Sequence, residues 1–145
     1  MWIDRLLGSP VTHGLQLTAR YAEQRQQMLA ENIANIDTPD YHNRRLDPEA
    51  FQKALHSAFE TAERRRAKRL NLRPHAQFST DRLGRLRVKP ASEPAPNILF
   101  HDGTNARLEE MMADVQQNAL THQLALNLLR GRFDGLLTAI RGRLQ

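Results

Sequence analysis

Ala30-Glu-Asn-Ile-Ala-Asn-Ile-Asp-Thr-Pro-Asp-Tyr41 is the stretch that decides the fold, because it closes one long amphipathic helical pattern. Asn32 and Asn35 fall in the last turns of this pattern. Pro39 lacks an amide proton and disfavours helical geometry at Thr38, so we expect the helix to stop there. A second, longer pattern begins at Asn105 and fills the C-terminus. Two long terminal helices around a polar, basic middle predict a chain that assembles rather than one that catalyses.

The N-terminal helix is predicted to begin at Ser9-Pro10, because serine is a good N-cap and proline fits the first helical position. Apolar or small residues then recur at steps of three, four and seven, which is typical of helix bundles and coiled coils. This first seam consists of Val11, Leu15, Ala19, Ala22, Leu29, Ile33 and Ile36. A helix of about 27 residues would form a rod of roughly 40 Å.

The C-terminal helix carries apolar residues on more than one face. Its predicted seam is Leu108, Met112, Val115, Ala119, His122, Leu126, Leu129, Phe133, Leu136 and Ile140, and a second stripe is Leu120, Leu124 and Leu128. About 39 residues would span roughly 58 Å, whereas a compact domain of this length is roughly 40 Å across. We therefore expect the uncovered surface to pack on neighbouring subunits.

The middle of the chain is the least regular part. A shorter helix is predicted from Asp47-Pro48, and the four prolines between Leu70 and Phe100 favour a loop or extended arm, with a short hairpin around Gln77–Val88 as an option. The predicted fold is thus all-α and elongated: two long terminal helices pair like a coiled coil around a flexible, basic, proline-containing middle. The corresponding segments are 1–41, 42–100 and 101–145.

The composition excludes several kinds of site and of targeting segment. There is no cysteine, which excludes disulfides and thiolate metal sites. Met1–Gly8 is too short and too charged for a cleavable signal peptide, and no apolar run approaches the roughly 20 residues that span a bilayer. We therefore expect a chain that is cytoplasmic or exported without a cleaved signal.

The net charge of +5 is unevenly distributed and requires a nucleic-acid partner to be considered. Between residues 63 and 89 the only acids are Glu63 and Asp81, against Arg64, Arg65, Arg66, Lys68, Arg69, Arg73, Arg82, Arg85, Arg87 and Lys89. Phe78 is the only aromatic residue there, although single-stranded nucleic acid is usually bound with several. A solvated arm, or contact with acidic neighbours in an assembly, is the favoured interpretation.

Catalytic, cofactor and metal sites are not predicted. The six histidines show no HxxxH or HxH spacing, and His122 on the apolar seam is interpreted as an interface residue. Glu109, Glu110 and Asp114 are helix-surface acids without a partner nucleophile pattern. No phosphate-binding glycine loop or nucleophile elbow occurs, so an enzyme is not expected.

Asn32-Ile-Ala-Asn-Ile-Asp-Thr-Pro-Asp-Tyr41 closely resembles the N-terminal signature of bacterial flagellar axial proteins, the rod, hook and hook-associated subunits. That signature is an Asn-x-x-Asn pair followed by Thr-Pro-Gly-Tyr, and Asp40 stands where the family has glycine. The turn Asp102-Gly-Thr-Asn-Ala-Arg-Leu108 and the ending Phe133-Asp-Gly-Leu-Leu-Thr-Ala-Ile140 resemble the rod members of the group. The residues that the resemblance marks as an assembly motif are Asn32, Ala34, Asn35, Thr38, Pro39, Tyr41, Asp102, Gly103 and Asn105.

The resemblance implies a structural subunit of the proximal rod of the flagellar basal body, in the periplasm. It would transmit torque and line the export channel. Its partners would be copies of itself, other rod proteins, membrane-ring and rod-adaptor proteins at the flagellar base, and the flagellar type III export apparatus. No cofactor or small-molecule substrate is implied, and export would need no signal cleavage. The alternative hypothesis is a basic helical nucleic-acid-binding or chaperone-like protein.

Two roles remain open for the asparagine pair. The amides of Asn32 and Asn35 could contact neighbouring subunits, or they could bond only to nearby carbonyl groups at the helix end.

Overall fold

The computed structural model of the chain describes residues 8–93 and 103–142, with side chains in the second range described from residue 107. Within these ranges the order of elements is α1 (Pro10–Ala34), β1 (Arg44–Arg45), α2 (Pro48–Arg65), β2 (Phe78–Thr80), β3 (Leu86–Val88), β4 (Ala91–Ser92) and α3 (Gly103–Arg141). The fold is mostly helical, as predicted, but the four short strands make the all-α class too narrow. None of the described helices is both long and apolar enough to cross a membrane.

Helix α1 begins where the sequence predicts and ends earlier than expected. The Ser9 hydroxyl accepts a hydrogen bond from the amide of Thr12 at 3.3 Å, and Pro10 is the first helical residue. At the other end Asn35 is the C-cap, so the helix stops at Ala34 and not at Thr38-Pro39. The Asn35 amide side chain donates to the Glu31 carbonyl at 2.8 Å, which satisfies a last-turn acceptor before the proline is reached.

Helices α1 and α3 pack as an antiparallel pair. The Asn118 side chain meets the Ala22 carbonyl at 2.8 Å, and Arg25 forms an ion pair with Asp114 at 3.1 Å, so residue numbers on the two helices run in opposite directions. Continuing this pairing from Ala22 back to Pro10 brings α3 to about Arg130. The last part of α3 therefore runs beyond the start of α1.

The middle of the chain is folded against α1, which corrects the prediction of a flexible arm. Tyr21 of α1 stacks on Phe51 of α2 with ring centroids 4.0 Å apart, and Phe78 of β2 meets both rings edge-on at 6.4 and 5.6 Å. Leu70 and Leu72, from the proline-containing stretch, are 1% and 2% exposed. The prolines confine this stretch to a few extended conformations and do not prevent it from joining the core.

The optional hairpin is present as β2 and β3. Phe78 pairs with Val88 and Thr80 with Leu86, and the turn contains Gly84 at φ +75°, a conformation that favours glycine. Strands β1 and β4 form a second antiparallel pair, with Arg44 opposite Ser92 and Arg45 opposite Ala91.

His13 ties three segments together. Its Nδ1 atom accepts a hydrogen bond from the Leu70 amide at 2.9 Å, and its Nε2 atom lies 3.0 Å from the Gly84 carbonyl. These partners require the neutral tautomer with the proton on Nε2. One side chain of α1 thereby fixes both the segment after α2 and the hairpin turn.

Gly14 is a point of close approach between α1 and α2. A Cβ atom there would overlap Cζ of Phe59 and lie 3.2 Å from Cδ1 of Leu70. A methyl group at position 14 would therefore require the Phe59 ring to move, which opposes the gain in helix propensity that alanine would bring.

Candidate assembly surfaces

Asn32 fastens the end of α1 to strand β1. Its Nδ2 atom donates to the Arg44 carbonyl at 2.7 Å, while its Oδ1 atom accepts from the Arg44 amide at 3.0 Å and from the Tyr41 hydroxyl at 3.1 Å. The Asn32 side chain is buried, so these bonds replace those it would make with water. The amide thus acts like a strand partner for Arg44 and holds the turn between them.

Asn35 and Thr38 shape the turn locally. Besides the bond from Asn35 to Glu31, the Thr38 hydroxyl donates to Oδ1 of Asn35 at 3.3 Å, and the Tyr41 amide donates to the Thr38 carbonyl at 3.3 Å. Asp40 has φ 59°, the left-handed conformation that glycine adopts most easily. The chain therefore adopts a left-handed conformation at position 40 although the residue there is aspartate and not glycine.

These contacts account for both asparagine side chains within one chain. Ala34, Thr38 and Pro39 are exposed, and Asn35 and Tyr41 are half-buried. Of the remaining predicted motif residues, Asp102 lies outside the described residues, and Gly103 and Asn105 lie in the first turn of α3. A role of the motif in contacts between subunits stays a prediction.

The face of α3 that meets α1 is offset from the predicted seam. Met111, Asn118 and Ala125 are buried at 8%, 4% and 2% exposure and recur every seven residues, with Val115 partly buried beside them. Met112 and Leu126 each follow a buried residue by one position, or about 100° around the helix, and are exposed. Periodicity alone could not select the face because α3 is apolar on more than one side.

The other seam residues are distributed as follows. In α1, Ala22 and Leu29 are buried and Leu15 and Ile33 are half-buried, as is Ile36 in the turn after the helix. In α3, Leu108, Leu129 and Leu136 are half-buried, and Phe133 and Ile140 are exposed. Their use between subunits is not decided by the single chain.

Polar residues on the α1–α3 contact were missed by reading apolar positions alone. Asn118 donates to both the Ala22 carbonyl and Oε1 of Gln26 at 2.8 Å, and Arg25 is buried at 6% exposure against Asp114. Asn118 lies seven residues from both Met111 and Ala125, and this heptad spacing is the signal that would have identified the buried face of α3. Such buried polar contacts can fix one register between two helices.

Helix α3 leaves two apolar strips uncovered by the described residues. One is the predicted second stripe, Leu120, Leu124 and Leu128, at 67%, 60% and 49% exposure. The other, on the flank of the α1 contact, contains Leu126, Phe133, Leu137 and Ile140 at 44%, 41%, 51% and 36% exposure. Contiguous exposed apolar residues of this kind mark interaction surfaces.

One end of the α1–α3 pair, where α1 finishes, exposes carboxylates. We call it the acidic end; Asp37, Asp40, Glu109 and Glu110 are exposed there and form no salt bridge with other described residues. The half-buried Arg107 lines the same cleft as Glu110, so the four carboxylates outnumber it. The arginines of β1 are already paired, Arg44 with Glu31 at 3.3 Å and Arg45 with Glu93 at 3.4 Å.

The opposite end, where α1 begins, exposes cations. We call it the basic end. It is formed by the C-terminus of α2, the segment after α2 and the hairpin turn, and His13 bonds to the last two of these. Its cations are Arg64, Arg65, Arg66, Lys68, Arg69, Arg82 and Arg85. Beside it lies an open groove of about 990 Å³. The groove is lined by Leu17, Leu86, Leu126 and Leu129 together with Arg20, Glu23, Lys68, Arg69 and Arg85. Arg85 forms an ion pair with Asp81 at 2.9 Å.

The described residues offer little for chemistry. They contain no group of three or more histidine or acidic side chains arranged to hold a metal ion. His13 is occupied by its two structural hydrogen bonds, and His122 lines the groove.

Comparison with protein-family models finds no match. Curated proteins are similar over most of the chain, and each is a flagellar basal body rod protein FlgB. The protein of Bacillus subtilis is 26% identical over 94% of this chain and 97% of its own length. That of Escherichia coli is 28% identical over 81% and 83%, and that of Borrelia hermsii is 30% identical over 81% and 85%. With this identity and coverage of both chains, and with the Asn-x-x-Asn and Thr-Pro turn in place, the chain belongs to the FlgB family of flagellar basal body rod proteins.

Proposed function

We propose that this chain is a structural subunit of the proximal rod of the flagellar basal body, where it transmits torque and helps to line the channel for exported subunits. The observation that carries the proposal is the apolar surface of α3, on both strips, that the described residues leave uncovered. A soluble monomer gains nothing from such leucines in water, whereas a helical tube of subunits would bury them.

Torque transmission requires subunits that interlock through extended contacts. Helix α3 is 39 residues long, about 58 Å, and only part of it is covered by α1. A neighbour that packs on the strips would bury several leucines, each contributing about 1.5–3 kcal/mol when fully buried. In this arrangement the partners are copies of the chain and other rod proteins, together with the ring and adaptor proteins at the flagellar base. Export through the flagellar type III apparatus without signal cleavage belongs to the same proposal.

The test uses two substitutions on the exposed strips, Leu124→Asp and Phe133→Asp. Because both side chains are exposed in the single chain, the purified variants should unfold at nearly the wild-type denaturant concentration. In a subunit contact, a buried unpaired carboxylate costs several kcal/mol, so rod assembly and swimming should be lost. The matched control is Asn127→Asp, which adds the same charge at an exposed polar position of α3.

Secreted and assembled subunit would be measured separately from motility. Normal rods and normal swimming with both Leu124→Asp and Phe133→Asp would show that these strips are not assembly surfaces.

A nucleic-acid-binding role is the alternative, and the basic end is the surface that would serve it. The described residues of that end contain no exposed aromatic side chain on which a base could stack. The structural role is therefore the better supported one.

A further inference from the structure

The acidic and basic ends lie at opposite ends of the same helix. Helix α1 has 25 residues, so about 37 Å separates the turn at Asp37 from the hairpin turn at Gly84, which His13 holds near the first turn of α1. The two sets of charges therefore cannot neutralise each other within one chain. Each is left exposed to a second molecule.

We propose that successive copies of this chain make a head-to-tail contact in which the acidic end of one copy lies on the basic end of the next. This inference rests on the proposed function and goes further by naming the partner surface and the direction of the contact. It also assigns a role to the basic 63–89 stretch, whose charge the uncovered strips of α3 do not explain.

Charge complementarity identifies the occupant. The acidic end presents Asp37 and Asp40 on an exposed turn around Pro39, with Glu109 and Glu110 on the adjacent part of α3. The basic end presents the groove, in which leucines form the apolar surface and Arg20, Lys68 and Arg69 supply positive charge against the single lining carboxylate of Glu23. Arg85 also lines the groove and is paired with Asp81. A turn with a proline between two aspartates fits such a groove in both polarity and sign. Complementary charge of this kind fixes orientation and disfavours head-to-head pairs.

Lysine chemistry gives a direct test. The chain has three lysines, Lys53, Lys68 and Lys89, of which Lys68 belongs to the basic end. A zero-length carbodiimide joins a lysine amine to a carboxylate only where the two touch. Along α1, Asp37 and Asp40 lie about 37 Å from the basic end, and Glu109 and Glu110 roughly 25 Å from it, so an amide between Lys68 and any of these carboxylates must join two molecules.

We would cross-link a concentrated mixture of isotope-labelled and unlabelled full-length chains and identify the joined peptides by mass spectrometry. Cross-links from Lys68 to the acidic end should dominate over those from Lys53 and Lys89. They should fall roughly tenfold when the salt is raised to about 1 M, where exposed charges are screened within about 3 Å. Absence of Lys68 cross-links to the acidic end at low salt would overturn the proposal.

Charge exchange tests the direction of the contact. One variant reverses the basic end (Arg64→Glu, Arg65→Glu, Lys68→Glu, Arg69→Glu, Arg82→Glu), which leaves Arg66 and Arg85 against five glutamates. A second reverses the acidic end (Asp37→Lys, Glu109→Lys, Glu110→Lys). Each variant has two ends of like charge and should lose end-to-end cross-links, although the first also lacks the Lys68 amine. The decisive chain therefore carries all eight substitutions: its ends are exchanged, and it should recover end-to-end cross-links. Its cross-links should run from the new lysines of the turn and of α3 to the new glutamates of the other end.

The matched control reverses three cations away from the basic end, Lys53→Glu, Arg87→Glu and Lys89→Glu, and should keep the Lys68 cross-links. Failure of the eight-substitution chain to recover end-to-end cross-links, with native circular dichroism, would contradict head-to-tail pairing. So would retention of the wild-type chain on duplex DNA near physiological salt without Lys68 cross-links, which would assign the basic end to nucleic acid. If Lys68 cross-links are absent while Leu124→Asp still blocks rod assembly, this inference fails and the proposed function stands.

Discussion

Asn32 and Arg44 are joined by two hydrogen bonds between a side-chain amide and the main chain, at 2.7 and 3.0 Å. The pair closes the turn that follows α1 and sets the position from which β1 and α2 continue. The motif that marks the family in the sequence is thus, within the single chain, a device that fixes the exit of α1.

Replacing Asn32 by alanine should lower the free energy of unfolding by about 1–3 kcal/mol, because the Arg44 main chain and the Tyr41 hydroxyl lose the bonds that the buried Asn32 amide makes to them. Urea unfolding followed by circular dichroism would measure the change. The control is Asn35→Ala, whose amide bonds to the Glu31 carbonyl and to the exposed Thr38 hydroxyl, and this substitution should cost less than about 1 kcal/mol. Equal effects of the two substitutions would contradict the role given to Asn32.

Replacing Gly14 by alanine should destabilise the chain although alanine favours helices by about 1 kcal/mol. The new methyl group overlaps the Phe59 ring, and overpacking of this kind costs about 1–3 kcal/mol. Gly131→Ala in α3 is the control, since nothing lies within 4 Å of its added Cβ, and it should stabilise by up to about 1 kcal/mol.

The interpretation of Gly14 has its own check in the double variant Gly14→Ala/Phe59→Leu. Removing the ring should recover part of the loss caused by Gly14→Ala. Strictly additive losses in thermal unfolding would show that Phe59 is not the cause.

Tyr21→Phe should leave the stability unchanged or raise it by up to about 1 kcal/mol. The Tyr21 hydroxyl is buried, has no hydrogen-bond partner among the described residues, and burial raises its pKa. Phenylalanine keeps the stacking on Phe51 and removes the cost of burying an unpaired hydroxyl. A loss above about 1 kcal/mol in guanidinium unfolding would reveal a partner for the hydroxyl.

Stability should fall in acid through Asp47 and Asp81. The Ala50 amide, and then the Glu49 amide, hold the pKa of the Asp47 carboxyl below its usual value, and the Arg85 amide does the same for the pKa of Asp81. A carboxyl whose pKa is lower in the folded state stabilises fully above its unfolded pKa of about 3.9, and this contribution is lost as the pH falls through the folded value.

The double variant Asp47→Asn/Asp81→Asn should therefore lose less stability than the wild type between about pH 5 and pH 2, because asparagine still accepts the amide bonds but does not titrate. Thermal unfolding across this range would measure the difference. An identical pH dependence in both proteins would rule out these two caps as a source of acid sensitivity.

The sequence by itself determined the elements whose signals are local. Ser9-Pro10 and Asp47-Pro48 place helix starts that the structure reproduces, because a capping side chain and a proline act within one turn. The Asn-x-x-Asn and Thr-Pro pattern was enough to indicate the family. The long C-terminal helix followed from apolar periodicity sustained over many turns.

Only the tertiary structure decided which faces meet. Helix α3 is apolar on several sides, so its contact with α1 through Met111, Asn118 and Ala125 depends on the polar partners that Ala22 and Arg25 offer, which lie more than 80 residues away in the chain. The folded middle likewise depends on Phe78 reaching Tyr21 and Phe51 across long separations. The two charged ends emerge for the same reason: local sequence sets the sign of each segment, and antiparallel packing sets where each segment lies.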